Sequence, residues 1–362
     1  MNLNSSLNES VVNVPLCLTF DNSYSWKSIK ILVLCIITLF GLFGNVLVLG
    51  IFYKFKQMRR STTNKFIFNM AVCDFARSIF YLPINLASAI ADSVKWLIGG
   101  DFGLFLCKLF PFVGEVTIAV SILTLVVIAV DRFYAILFPL RKGILTQKVC
   151  QLTIILTWIL AIGLYSSIFY TAKLDDHGTC IMDWGPYFDD YKTQKHYYIS
   201  LFVILYAVPL SLITILYLAI FFELHKSTTH ECNGFHEQER RKENKRILQM
   251  LVSVVILFAL TWAPLHVYAF LRYFYINTTL NSHLICQMHA LQIITVFTMN
   301  FGCAINPFLY FIFLEKYRNN LKVVLVYLLN KKPSKLLSST ANEKTSERFQ
   351  ACSTYDWQET TI

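Results

Sequence analysis

Residues 104–137 read LFLCKLFPFVGEVTIAVSILTLVVIAVDRFYAIL. About 20 apolar residues at ~1.5 Å each cross a bilayer, and this run is longer than that. Its ionisable residues are Lys108 near one end, Glu115, and Asp131-Arg132 at the other. Side chains at helical spacing (Glu115, Ile118, Ile122, Leu125, Ala129, Arg132) share one face, so Glu115 stands several turns from Arg132 along a common stripe.

Six further runs have the same character, at about 29–53, 65–91, 149–170, 197–224, 246–271 and 285–313. The breaks between them are too short for a soluble domain. Hydrophobic residues make up 56% of the 362 and charged residues 15%, against ~45–50% and ~25% in soluble domains. The fold class expected is therefore an all-α membrane protein, a seven-transmembrane helix bundle over 29–313. Residues 1–28 form a polar outer tail without the apolar core of a cleavable signal peptide. Residues 314–329 read as a short amphipathic eighth helix, with Leu321 and Val324 on one face and Lys316, Arg318 and Lys322 on the other. The Ser/Thr-rich stretch 330–362 reads as a disordered cytoplasmic tail.

Net charge is +10. Basic residues outnumber acidic ones in the breaks after runs one, three and five and in the tail, whereas acidic residues prevail in the others. That asymmetry puts the N-terminus outside and the basic surface against cytoplasmic lipid headgroups, which removes nucleic acid as a partner. Glycosylation is expected at Asn4 and Asn8, whose sequons lie on the predicted outside.

Ionisable groups within spans are costly and mark function: Asp74, Arg77, Glu115, Asp131 and Arg132. Pro209, Pro264 and Pro307 mark kinks in runs five, six and seven. With these come Gly44-Asn45, Asn69-Met-Ala-Val-Cys-Asp74, Cys107, Asp131-Arg-Phe133, Trp158, Cys180, Tyr217, Trp262-Ala-Pro264 and Asn306-Pro-Phe-Leu-Tyr310. One set per run and in this order, they resemble the rhodopsin-like (class A) G protein-coupled receptors over about residues 29–325. Trp96, Asp131-Arg-Phe-Tyr-Ala-Ile136, Pro139-Leu140 and Trp262-Ala-Pro-Leu-His266 are most similar to the neuropeptide branch, the tachykinin and neuropeptide Y/FF-like group.

The resemblance implies roles. Arg132 pairs with Asp131 at rest and swings toward Tyr217 and Tyr310 when the inner helix ends part, a two-state element with Asn306 and Pro307 nearby. Arg132, Pro139 and Leu140 face a heterotrimeric G protein, and the Ser/Thr-rich tail an arrestin. Asn244 stands where the family often has an acidic partner for that arginine. Pro209, Ile122, Phe258 and Trp262 match a packing switch, which without the family would read as ordinary core. Asp74, Ser121, Asn45 and Asn306 match an allosteric sodium site, from which Gly302 and Cys303 depart; Arg77, one turn from Asp74, either competes there as an internal counter-ion, snorkels, or faces run three. No other cofactor is expected. Cys107 and Cys180 match an outer disulfide. Cys17 and Cys286 form either a second one, as in several peptide-binding branches, or two free thiols.

An enzyme is disfavoured, since no nucleophile–base pair, metal cluster or phosphate loop appears. A transporter or channel would show two matching halves or charges across many spans, and neither is present. A monoamine ligand is disfavoured because Gly114 stands where amine receptors carry aspartate. The expected pocket is Glu115, Ile118, His266, His289 and Gln292, beneath a loop rich in aspartate (175, 176, 183, 189 and 190). An acidic mouth over a carboxylate draws a cationic ligand, and a basic amidated peptide fits it. The alternative is a lipid or nucleotide, which would want a basic pocket.

Overall fold

The helices starting at Thr62, Gln147 and Asp190 are opened by a short polar side chain that turns back on the backbone. Ser61 accepts from Asn64 N at 3.4 Å, Thr146 from Val149 N at 3.3 Å and Asp189 from Lys192 N at 2.9 Å. These caps satisfy amides that have no partner in the first helical turn. The computed structural model describes residues 24–91, 96, 98–138, 146–226, 235–275 and 282–328. Seven helical spans follow: Ser25–Lys54, Thr62–Ala91, Gly100–Leu137, Gln147–Thr171, Asp190–Glu223, Lys242–Tyr275 and Gln287–Phe313. They are numbered spans 1–7.

Span 3 is the axis of the bundle, with 56% of its apolar window buried against 17% for span 5. It touches spans 2, 4, 5 and 6, and span 7 closes back on span 1. Outward-facing large apolar residues, such as Ile155, Ile159 and Leu160 on span 4, stay exposed. Only hydrocarbon suits such a surface, so the chain is a multi-pass membrane protein.

Prolines mark spans 2, 5, 6 and 7 near the site. Span 2 consists of helices Thr62–Phe80 and Leu82–Ala91, broken at Tyr81 two residues before Pro83. In span 5, Val203–Ala207 is a wide π turn in which Val208 N donates to Val203 O. Pro209, next in line, cannot donate to the carbonyl of Leu205, and the wide turn absorbs that defect. Pro264 and Pro307 lie inside the helices of spans 6 and 7.

Asn69 ties three spans together. Its Nδ2 donates to Thr124 Oγ1 at 3.0 Å, and its Oδ1 accepts from Trp158 Nε1 at 2.9 Å. Asn69→Ala strands the indole N–H in a membrane core and should cost about 1–3 kcal/mol. Thermal unfolding should show it, and Trp158→Phe added on top should cost little more. Additive losses would mean that the two bonds are independent.

After span 4, strands β1 (Ala172–Leu174) and β2 (Cys180–Met182) pair antiparallel with Leu174 opposite Cys180. The turn between them needs φ +74° at Gly178, a left-handed conformation that glycine adopts freely. Cys180 is bonded to Cys107 at the head of span 3. A separate unit carries helix Glu315–Leu328, within a residue at each end of the expected 314–329. Asn4, Asn8, Cys17, Pro139, Leu140, the side chain of Cys286 and the tail beyond 328 lie outside the described residues.

Candidate functional site

Three cavities follow the length of span 3. The upper one, about 270 Å³, is walled mainly by rings: Tyr165, Tyr197, Tyr198, Phe202, Tyr206 and Trp262. Glu115, Ile118 and His266 line it as expected, and Trp184 of the outer loop roofs it. Glu115 is its one carboxylate, and no lysine or arginine lines it. No cation closes to ion-pair distance on Glu115 among the described residues. Its electrostatic neighbours are Arg77 and the Tyr165 hydroxyl.

The side wall is an aromatic column. His266 Nδ1 lies 2.7 Å from the Tyr198 hydroxyl, and its ring centroid is 4.1 Å from that of Tyr206. His266 Nε2 is buried without a partner. Trp262 continues the stack to Phe258 at 5.7 Å. The wide turn in span 5 presents Tyr206 to span 6, where its hydroxyl donates to Ala259 O at 3.1 Å. Sequence periodicity cannot foresee that turn, because one extra residue shifts the phase of the helix.

Two expected pocket residues are elsewhere. Gln292 lines a separate cavity of about 250 Å³ toward span 2, which it shares with Glu115, Arg77 and Asn85. His289 lines neither this cavity nor the upper one. Gly114 faces the ring of Tyr81, and a Cβ there would fall 2.6 Å from Tyr81 Cδ2. No side chain fits at the position of the amine receptors' aspartate, a steric reason beyond the missing charge.

The third cavity, about 70 Å³, lies below and shares Ile118, Ile122 and Trp262 with the upper one. Three residues of the packing-switch expectation, Ile122, Phe258 and Trp262, thus lie at or beside the partition, and Pro209 is buried in span 5. Asp74, Ser121 and Asn306 line the lower cavity, and Asp74 accepts from Asn306 Nδ2 at 2.9 Å. Asn45 corrects the sodium expectation. Its amide hydrogens go to the carbonyls of Gly41 (2.7 Å) and Cys303 (3.2 Å), and it does not line the cavity. Arg77 does line it. A guanidinium in the same cavity already supplies the positive charge beside Asp74, so these residues do not fit sodium.

At the inner end Arg132 Nε lies 3.1 Å from Asp131 Oδ2, with a second contact through Nη2. Both side chains are nearly buried. The Tyr217 hydroxyl is buried and has no hydrogen-bond partner, and Tyr310 is buried against Met70.

The loop aspartates do structural work. Asp175 accepts from the amides of His177 and Thr179, Asp189 caps span 5, and Asp190 accepts from Trp184 N. Lys173 Nζ sits 2.8 Å from Asp183 Oδ2, while Gly185 N donates to Oδ1 at 2.9 Å. The expected acidic mouth is thus largely a set of turns, caps and pairs. The Lys173 bond, helped by the Gly185 amide, holds the Asp183 carboxyl below its ordinary range. A lowered folded value means that the contact is fully present above the ordinary carboxylate pKa of about 4 and fails as pH drops through the lowered one. Amide exchange at Gly185, compared at equal intrinsic rate, should therefore show the same protection from neutral pH down to about pH 5 and lose it only in stronger acid.

Comparison with known proteins agrees with this geometry. Residues 44–310 match the family model of the 7 transmembrane receptor (rhodopsin family). The chain is 31% identical to neuropeptide FF receptor 2 of Mus musculus, over 83% of this chain and 70% of that one. It is 33% identical to neuropeptide Y receptor type 2 of Mus musculus, over 78% and 72%. It is 28% identical to the pyroglutamylated RF-amide peptide receptor of Rattus norvegicus, over 81% and 69%. With its seven spans, the disulfide at the head of span 3 and a match across most of its length, the chain belongs to the rhodopsin family of seven-transmembrane receptors, a receptor and not an enzyme.

Proposed function

We propose that the protein is a plasma-membrane receptor, N-terminus outside, that binds a basic amidated peptide in the upper cavity and activates a heterotrimeric G protein. One observation carries the ligand class. The cavity surrounds an unpaired carboxylate, Glu115, with aromatic faces and has no basic wall. A guanidinium satisfies both, by a charge-assisted bond to Glu115 and by cation–π contact with the rings. A phosphate or fatty-acid headgroup would meet only repulsion there. The relatives support the reading, since the proteins named above are peptide receptors, one of them for an RF-amide peptide. The outer disulfide suits the oxidising side of the membrane.

Ligand entering above Trp262 shifts the partition of Ile122 and Phe258, and the inner ends of spans 5 and 6 part. Arg132 then exchanges Asp131 for the unpartnered Tyr217 hydroxyl and opens a face for the G protein. Pro139 and Leu140 in the following loop, and the basic start of span 6, complete that face. An arrestin binds the modified tail, and the final helix lies on the inner leaflet.

A panel of basic amidated peptides and their free acids, screened for nucleotide exchange on G proteins, tests the ligand class. Activation by lipids or nucleotides alone would reject it. Arg132→Ala should cut agonist-driven exchange at least tenfold while antagonist affinity changes less than threefold. Unchanged exchange would remove Arg132 from the switch.

A further inference from the structure

Arg77 is only 3% exposed and stands where two cavities meet. It lines the lower cavity with Asp74 and the side cavity with Glu115. Nη2 donates to Asn300 Oδ1 at 3.3 Å and Nη1 to Gly114 O at 3.5 Å, and the guanidinium carbon lies 4.7 Å from the centroid of the Tyr81 ring. Nε is buried with no partner. Both Asp74 and Glu115 feel its charge, yet neither reaches ion-pair distance among the described residues. A buried cation persists only where nearby anions and dipoles share its charge, and here two carboxylates from two spans do so.

We propose that Arg77 is the resident cation of the core cavity, so that this receptor, unlike the sodium-binding pattern it resembles, is insensitive to sodium. The charge beside Asp74 carries the argument. A second cation beside Asp74 would be repelled by the guanidinium one helical turn away. Asn306 turns its NH₂ toward Asp74 at 2.9 Å, so it presents a donor and not an oxygen to that carboxylate. A tethered cation cannot leave, so the core charge is regulated by the neighbours of Arg77. A ligand cation on Glu115 leaves the guanidinium to Asp74 alone, which links the pocket to the core without ion exchange.

The full-length receptor in nanodiscs, heated in sodium chloride and in choline chloride at equal ionic strength, tests this. The wild-type midpoint should be the same in both salts. Arg77→Met should gain a saturable stabilisation by sodium, about elevenfold in the folded-to-unfolded ratio at ten times the dissociation constant. Adding Asp74→Asn should remove it. A saturable sodium stabilisation of the wild type that Asp74→Asn abolishes would overturn the proposal, and so would an Arg77→Met protein indifferent to sodium. Should Arg77→Met fail to accumulate, sodium-23 NMR of the wild type decides. Saturable, Asp74-dependent line broadening overturns the proposal, and its absence supports it. None of these readouts involves a peptide or a G protein, so failure here leaves the functional reading standing.

Discussion

Glu115→Gln should lower the potency of a guanidinium-bearing peptide agonist about 30- to 150-fold while surface expression stays at the wild-type level. The range is a charge-assisted bond of about 2–3 kcal/mol lost at about 1.4 kcal/mol per decade. Glutamine keeps the shape of the side chain and its bond to Tyr165, so the change isolates charge. Two effects pull the magnitude down. Arg77 competes with the ligand for the carboxylate, and the rings of Tyr198, Tyr206 and Trp262 still hold a cation after the charge is gone. Phenylalanine substitutions at Tyr198 and Tyr206 should therefore cost much less than Glu115→Gln. Concentration–response curves for nucleotide exchange on the variants measure all three. Neutralising Asp176 should shift potency less than threefold, whereas Asp183→Asn should act through the loop and reduce expression. Potency unchanged in Glu115→Gln would leave the receptor assignment standing and remove the cation from the pocket.

The bundle was legible in the sequence because hydrocarbon imposes one requirement on every span, a long apolar run. Span ends were read less well. Span 5 begins at Asp190, seven residues before its apolar run, because an aspartate cap and a polar first turn continue the helix into water. The motif residues on each span were visible singly, yet their partners were not. Asn69, Thr124 and Trp158 are 55 and 89 positions apart, and nothing local links them. Arg77 stood out as a buried charge, but its contacts with Asn300 and Gly114 depend on how the spans pack. The aspartates of the outer loop were counted as field when they are structure. Spacings of two to four residues to their amide donors were already in the sequence and signal turns and caps. Gln292 lines the side cavity with Glu115 and not the upper one, since helical phase gives a face and not a depth.

Cys107→Ser should abolish high-affinity agonist binding and most surface expression, and the chain should still insert with seven spans. Insertion depends on hydropathy, which the substitution does not touch. The loss arises outside. Cys180 lies on β2, and that strand with Met182 and Trp184 roofs the upper cavity. Without the bridge, the hairpin and its roof keep the bonds from Trp96 N to Gly178 O at 2.7 Å, from Asp183 N to Thr171 O at 2.9 Å, from the Tyr170 hydroxyl to Trp184 O at 3.1 Å and from Trp184 N to Asp190 Oδ1 at 2.9 Å. Those are four hydrogen bonds at a water interface, together worth about 2–6 kcal/mol. Closing a 73-residue separation would contribute about 4 kcal/mol in a free chain. In the bilayer span 4 already restricts that segment, so the gain is smaller, and the bridge acts chiefly by positioning the roof. Fractionation into membranes, cell-surface labelling and agonist binding separate these effects. Cys180→Ser should match Cys107→Ser, and the double variant should be no worse than either, because one covalent bond is lost in all three. Wild-type agonist affinity in Cys107→Ser would show that the roof is held by its hydrogen bonds alone.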